Sequence, residues 1–268
     1  MKSILHKVTR AEVVLRPFPH VVVDGALEED LYAQLSSTFP PFEAIVDGRT
    51  IENNAPYRMP AARLLSDPRI TDGWKEFARY HTSAAFLREV LSIFGDAIRE
   101  LHPALPSLDE ARTNVRGAEA FADVALDCQP CWGAPVTRAS SSDPCHVDRP
   151  VTLFAGLLYC RLPGDDTAGG DLELYRFRGW ERRYDATRHV DPSLVEPVRR
   201  IPYAANRLVF FLQSPHSLHG VTVRAVTPWP RLHVNFLAEM QTKVFELRSV
   251  TLPTADRRLP TYRSAEVA

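Results

Sequence analysis

His146-Val147-Asp148 and, seventy-one residues further on, Ser217-Leu218-His219-Gly220-Val221 supply two imidazoles and one carboxylate, with Arg231 beyond them. Two histidines and a carboxylate are the ligand set of a mononuclear non-haem iron(II) centre that keeps coordination positions open. Residues i and i+2 of an extended segment point to the same face. His146 and Asp148 can therefore grip one metal if their segment is extended; on a helix the pair would diverge. The second histidine must arrive from a distant strand, as a barrel or sandwich would bring it. A positive charge further on can then hold an acidic co-substrate.

The elements around these residues follow from hydrophobic periodicity. Residues 11–24 read as extended, through Val13, Val14, Leu15, Phe18 and Val21-Val22-Val23. Residues 27–38 read as a helix with Leu27, Leu31 and Leu35 on one stripe and Glu28, Glu29 and Asp30 in its first turn. Residues 39–68 are polar, proline-containing and aperiodic, which predicts a long loop of the kind that serves as a lid. Helical spacing returns over 70–100 through Trp74, Phe77, Phe86, Val90, Phe94 and Ile98. From about 120, short apolar runs alternate with turns: 121–131, 151–162, 171–177, 207–213, 219–226 and 231–238. That spacing predicts an all-β barrel or sandwich. Gly220 after His219 allows a close backbone approach. Arg231 opens the last strand, and a hairpin from 219 is expected to return it beside His219.

The ordered motifs H-x-D (146–148), L-L-Y (157–159), G-G-x-L-x-L-Y (169–175), H-G-V (219–221) and Arg231 resemble the prolyl-hydroxylase-like branch of the iron(II)/2-oxoglutarate oxygenases. The likeness runs over about residues 120–240, and Pro17-Phe18-Pro19-His20-Val21-Val22-Val23-Asp24 is similar to the start of many small bacterial members. The resemblance implies a double-stranded β-helix, a cupin-like jelly roll that is mostly β with N-terminal helices. It implies one oxygenase domain over 1–268: helical support and lid loop over 1–119, jelly-roll core over 120–240, C-terminal extension over 241–268. Carried over by residue, His146, Asp148 and His219 match the iron ligands, and Arg231 matches the residue that pairs with the C5 carboxylate of 2-oxoglutarate. An arginine suits that role because its fork binds a carboxylate through two parallel bonds. Tyr159 matches a tyrosine that donates to the same carboxylate in some relatives; the alternative is a core aromatic. Leu172 matches an apolar residue packed against the co-substrate. Gln129, on the segment leading to the ligands, is read as lining the pocket. Fe(II), 2-oxoglutarate and O2 are the implied cofactors, with ascorbate as a stimulant. The implied reaction is hydroxylation of an unactivated C–H bond of a small molecule, an amino acid or a natural-product intermediate, with succinate and CO2 as co-products. Related halogenases carry a small residue where Asp148 stands, so a hydroxylated rather than a halogenated product is expected.

Competing readings attach to several residues. His216 lies three residues before His219, on the opposite face of a strand, and is the poorer ligand. His233 shares a face with Arg231, as pocket wall or as a satisfied core histidine. His189 reads as exposed. Cys128-Gln129-Pro130-Cys131, with Cys145 nearby, offers zinc as a rival metal, but thiols three apart on a strand face opposite ways. Eight arginines between Tyr175 and 207 are interleaved with Glu181, Asp185, Asp191 and Glu196, and read as a solvated surface insertion. Asn53, Asn54, Tyr57 and Arg58 in the 39–68 loop suit a small polar substrate or ordinary loop solvation. A protein side chain is the alternative substrate. A non-catalytic or zinc-binding jelly roll is the alternative class.

Composition bounds the rest. At 268 residues with 45% hydrophobic content, the chain can build a full core. A net charge of −1 gives no global field for nucleic acid. No apolar run of membrane-spanning length occurs. The Met1–Lys7 segment lacks the apolar stretch of a secretory signal. Four cysteines do not make a disulfide scaffold in a chain this long, so a cytoplasmic setting is expected.

Overall fold

The computed structural model describes residues 2–250. In chain order the elements are β1 (His20–Asp24), α1 (Glu29–Ser37), α2 (Phe42–Val46), β2 (Pro56–Arg58), α3 (Ala61–Ser66), α4 (Asp72–His81), α5 (Ala84–Leu101), β3 (Thr113–Val115), β4 (Val124–Gly133), β5 (Thr152–Tyr159), β6 (Leu172–Phe177), β7 (Val195–Ile201), β8 (Arg207–Leu212), β9 (His219–Val221) and β10 (Arg231–Met240). The expected C-terminal extension over 241–268 falls largely outside the described residues.

Two sheets form the β part. The major one has the order β1-β8-β5-β10-β4-β2 with β3 beside β4, and the minor one the order β7-β6-β9. All pairs are antiparallel except β3 with β4. This is the mostly β jelly roll with N-terminal helices that the strand spacing and motif order predict. Alternation along β10 shows how it is layered. Leu232, Val234, Phe236 and Ala238 join the core shared with the helices. Arg231, His233, Asn235 and Leu237 line a cavity on the other face. A one-residue slip of β10 would exchange these sets, so burial fixes its register. The helical layer supplies Phe77, Phe86 and Phe94, which meet Phe154, Phe210 and Phe236 of the sheet edge to face or tilted. Truncating such a ring to Ala costs about 3–5 kcal/mol.

Three expectations need correction. The 39–68 segment is not a free lid: it holds α2, β2 and α3. Its prolines start elements rather than break them. Pro41 and Pro60 sit just before α2 and α3, where a missing N–H costs nothing, and Pro56 opens a strand on the edge of the sheet. The arginine-rich stretch is not merely a surface insertion. It contains β7, whose ends Val195 and Ile201 are buried while the middle is exposed, so little alternation marks it. Its arginines are paired within the sheet region: Arg176 with Glu196, Arg200 with Glu173, Arg207 with Asp24. Finally, the helical span over 70–100 is two helices, separated at Thr82-Ser83, where the Ser83 hydroxyl caps α5 by accepting from the Phe86 N–H.

His81 ends α4 wholly inside this aromatic core. Its Nδ1 donates to the Phe77 carbonyl at 2.8 Å, and its Nε2 accepts the Ile4 N–H at 3.1 Å. Burial pushes its pKa down to about 3. The folded value lies below the unfolded one, so the neutral ring's contribution is complete above pH 6.5 and drains as pH falls from 6.5 towards 3. For this group alone the loss between pH 7.5 and pH 5 is about 2 kcal/mol. Urea unfolding at the two pH values should therefore show a pH penalty smaller by about that amount in His81→Gln. An equal penalty in both proteins would reject this role.

Candidate metal centre

His146 and Asp148 lie on an extended segment beside the edge of the minor sheet, and His219 begins β9 at that edge. The two histidines exchange backbone bonds: His146 N–H to the His219 carbonyl at 2.9 Å and His219 N–H to the His146 carbonyl at 3.0 Å. The approach is possible because residue 220 has no side chain. A Cβ there would stand 2.8 Å from the Cys145 nitrogen, closer than such atoms come. Their rings then meet with centroids 4.4 Å apart. Asp148 reaches both, with Oδ1 3.9 Å from His146 Nε2 and Oδ2 4.0 Å from His219 Nε2. The three ligand atoms lie within 4.8 Å of one another, close enough to share one ion.

Hydrogen bonds prepare both rings for a metal. His146 Nδ1 donates to the Pro144 carbonyl at 2.8 Å and His219 Nδ1 to the Ser217 carbonyl at 2.9 Å. With the proton on Nδ1, each Nε2 lone pair faces Asp148. Burial, helped by the neighbouring His146, lowers the pKa of His219 and keeps it in this neutral form. Gln213, directly after β8, donates from its amide to Asp148 Oδ2. The sequence reading missed this residue; the only trace of it is a polar residue closing an apolar run.

Arg231 lies 6% exposed on the same cavity wall. Its Nε donates to the Gly170 carbonyl at 3.0 Å, and Nη1 faces His233 Nδ1 at 3.4 Å. The guanidinium sits 5.0 Å from the Tyr159 ring and 4.9 Å from the Tyr203 ring. Its Nη2 and the Tyr159 hydroxyl are both buried without a hydrogen-bond partner among the described residues. A buried cation with no anionic partner is costly, and the Arg231 fork suits a carboxylate in the cavity it lines; Tyr159 packs against that fork but is not part of the cavity wall. Burial raises the Tyr159 pKa, so the phenol keeps its proton for donation. Leu172 and Leu237 line the cavity, whose volume is about 100 Å³.

Other residues fall elsewhere. Arg231 does not return beside His219 through a hairpin: β9 and β10 belong to opposite sheets, and the two residues face the cavity from either side. Gln129 is buried, but its amide donates to Asp127 at 2.6 Å and accepts from Asn235 at 3.3 Å, and it is not part of the cavity wall. His216 faces the Phe177 ring. His189 is half-buried rather than exposed, because residues 188–190 pair with the ligand segment; its Nε2 donates to Asp143 Oδ1 at 3.1 Å behind His146. Cys128 points into the helical core. Cys131, Cys145 and Cys160 are likewise buried and free, and none joins a metal-sized cluster among the described residues. Burial pushes Cys131 up to about 11 and Cys145 and Cys160 up to about 12, the wrong direction for thiolate ligands. No helix of the described residues is long and apolar enough to cross a membrane.

No protein-family model and no curated protein matches the chain. Solved structures do. A Pseudomonas putida prolyl-4-hydroxylase is 13% identical over 83% of this chain and 93% of its own, with a TM-score of 0.45. The rice dioxygenase for auxin oxidation is 15% identical over 81% of this chain and 72% of its own, with a TM-score of 0.46. The epimerase SnoN, in complex with Fe3+, alpha ketoglutarate and nogalamycin RO, is 12% identical over 82% of this chain and 78% of its own, also at 0.46.

The Gln213 amide holds one oxygen of Asp148 and leaves the other for a metal. Gln213→Leu keeps the bulk and removes the donor, and should weaken divalent-metal affinity about 10–100-fold. Competition against a chromophoric chelator measures this; unchanged affinity would show that the contact does not position Asp148.

Proposed function

We propose that this chain is an Fe(II)- and 2-oxoglutarate-dependent dioxygenase that hydroxylates an unactivated C–H bond of a small molecule. The observation that carries the reading is the presence, in one cavity, of the two-histidine, one-carboxylate cluster and of Arg231, whose Nη2 has no hydrogen-bond partner among the described residues. His146, Asp148 and His219 would hold iron from one side and leave positions open. Bound iron and 2-oxoglutarate supply the oxidising power: as 2-oxoglutarate loses CO2 to become succinate, one atom of O2 passes to succinate and the other to the substrate. The protein's part is placement. Arg231, with Tyr159 beside its guanidinium, would take the far carboxylate of the co-substrate, and Leu172 would pack against it. Ala155, Leu157, Phe211 and Leu237 add an apolar stretch to a wall that is otherwise largely polar.

Bracing of the cavity mouth supports a small substrate. Asn53 Oδ1 accepts from the N–H groups of Thr137 and Arg138 at 2.7 and 3.0 Å, and Asn54 Nδ2 donates to the Ser140 carbonyl at 2.8 Å. These bonds tie the 53–58 segment to the loop opposite it. A mouth fastened on both sides suits a free molecule better than a folded protein surface.

The test is a screen of candidate small molecules for succinate formation, with mass spectrometry for a gain of one oxygen. Arg231→Ala should raise the apparent constant for 2-oxoglutarate, a loss on the order of 2–5 kcal/mol, while iron affinity stays as it was. An unchanged 2-oxoglutarate dependence would reject the role. Because Asp148 occupies the third facial position with a negative charge, a second anion is disfavoured there. With the true substrate in excess chloride the product should gain oxygen and no chlorine; a chlorinated product would overturn this part of the reading.

A further inference from the structure

Four polar residues of the 53–58 segment could meet a substrate, and three are already engaged. Asn53 and Asn54 hold the facing loop. The Tyr57 hydroxyl donates to the Thr50 carbonyl at 2.7 Å and accepts from the Glu52 N–H at 2.8 Å. Arg58 is the exception. It is exposed and belongs to the cavity lining, and among the described residues its guanidinium makes no hydrogen bond and no ion pair. Most other arginines around the β-sandwich are committed, as with Arg176, Arg200 and Arg207.

The backbone beneath Arg58 is fixed. β2 pairs with β4, opposing Arg58 to Cys131, and the Met59 N–H donates to the Pro130 carbonyl at 3.0 Å. Cys131 in turn opposes His233 of β10. Arg58 thus stands two strands from His233, roughly 10 Å at the usual strand spacing, on the same face and at the solvent side of the cavity. Burial first, then Arg231 and Arg58, hold His233 well below its ordinary pKa, so a neutral ring separates the two cations. The inner cation is matched to the co-substrate; the outer one is left over.

The ligand for that outer cation is limited by its surroundings. The same mouth carries Asp143, whose Oδ1 takes His189, and, further in, Asp148. One guanidinium in a cavity that also carries two carboxylates favours a planar monoanion, which the fork can bind through two bonds. A phosphate dianion would meet stronger repulsion. We propose that Arg58 anchors a free carboxylate on the substrate, so that the enzyme acts on a small carboxylic acid, free amino acids and hydroxy acids being the simplest, and discriminates against its amides and esters. This rests on the Fe(II)/2-oxoglutarate reading and narrows its substrate class.

The experiment uses the whole chain loaded anaerobically with Fe(II) and 2-oxoglutarate, with loading read from the visible absorption of the metal–co-substrate chelate. Calorimetric titration then compares a panel of free amino acids and hydroxy acids with their primary amides. At least one acid should bind, its amide about 10–100-fold more weakly. Arg58→Gln should remove most of that difference while the chelate absorption and 2-oxoglutarate affinity stay unchanged. If the chelate never forms, the iron/2-oxoglutarate reading itself fails, and the anchor falls with it. If it forms but no acid binds, or amides bind as well as acids, the carboxylate anchor is wrong and the oxygenase reading stands. If Arg58→Gln instead weakens 2-oxoglutarate, Arg58 belongs to the co-substrate and the anchor is again overturned.

Discussion

The site hangs on a single backbone contact, the paired N–H to carbonyl bonds between His146 and His219 at the edge of the minor sheet. This contact joins two segments far apart in sequence and places both imidazoles side by side, with the Phe211 ring packed edge-on against His219. It exists because Gly220 presents no Cβ to the Cys145 backbone. Each histidine then turns its Nδ1 to the carbonyl two residues before it, in Pro144 and Ser217. The same local device applied twice leaves two lone pairs converging on one carboxylate.

A second constraint is electrostatic. Arg231 is buried against Tyr159 and Tyr203, with one amino group unsatisfied among the described residues. A buried guanidinium donor without a partner is costly, and an anion in the cavity that Arg231 lines would offset that cost. His233, held neutral between Arg231 and Arg58, keeps the cavity floor from carrying three adjacent positive charges. The wall is graded: a histidine–carboxylate cluster on the minor-sheet side, a deep cation on β10, and at the rim Arg58, which pairs with nothing among the described residues.

Much of this was legible in the sequence because the strands that carry chemistry also bury one face. β4, β5 and β10 are long, and the apolar set on β10 (Leu232, Val234, Phe236, Ala238) fixes which way Arg231 and His233 point. The i, i+2 spacing of His146 and Asp148, and the glycine after His219, state their geometry directly. What was not legible depends on contacts rather than patterns. β7 and β2 are edge strands with few buried side chains, so they carry little periodicity. Prolines 41, 56 and 60 begin elements, and proline alone does not say whether it starts or stops one. Gln213 and His189 matter through partners that only the folded chain brings near, Asp148 and Asp143. The placement of β9 and β10 in opposite sheets likewise follows from the crossing of residues 222–230, which no local signal announces.

The central claim is that one iron is held by two imidazoles and one carboxylate from His146, Asp148 and His219. X-ray absorption at the iron edge, on protein loaded anaerobically with one equivalent of Fe(II), tests it most directly. The account predicts nitrogen and oxygen scatterers only, with the outer-shell signature of two imidazole rings, reduced to one in His219→Ala. Sulfur scatterers, or a spectrum indifferent to that substitution, would contradict it.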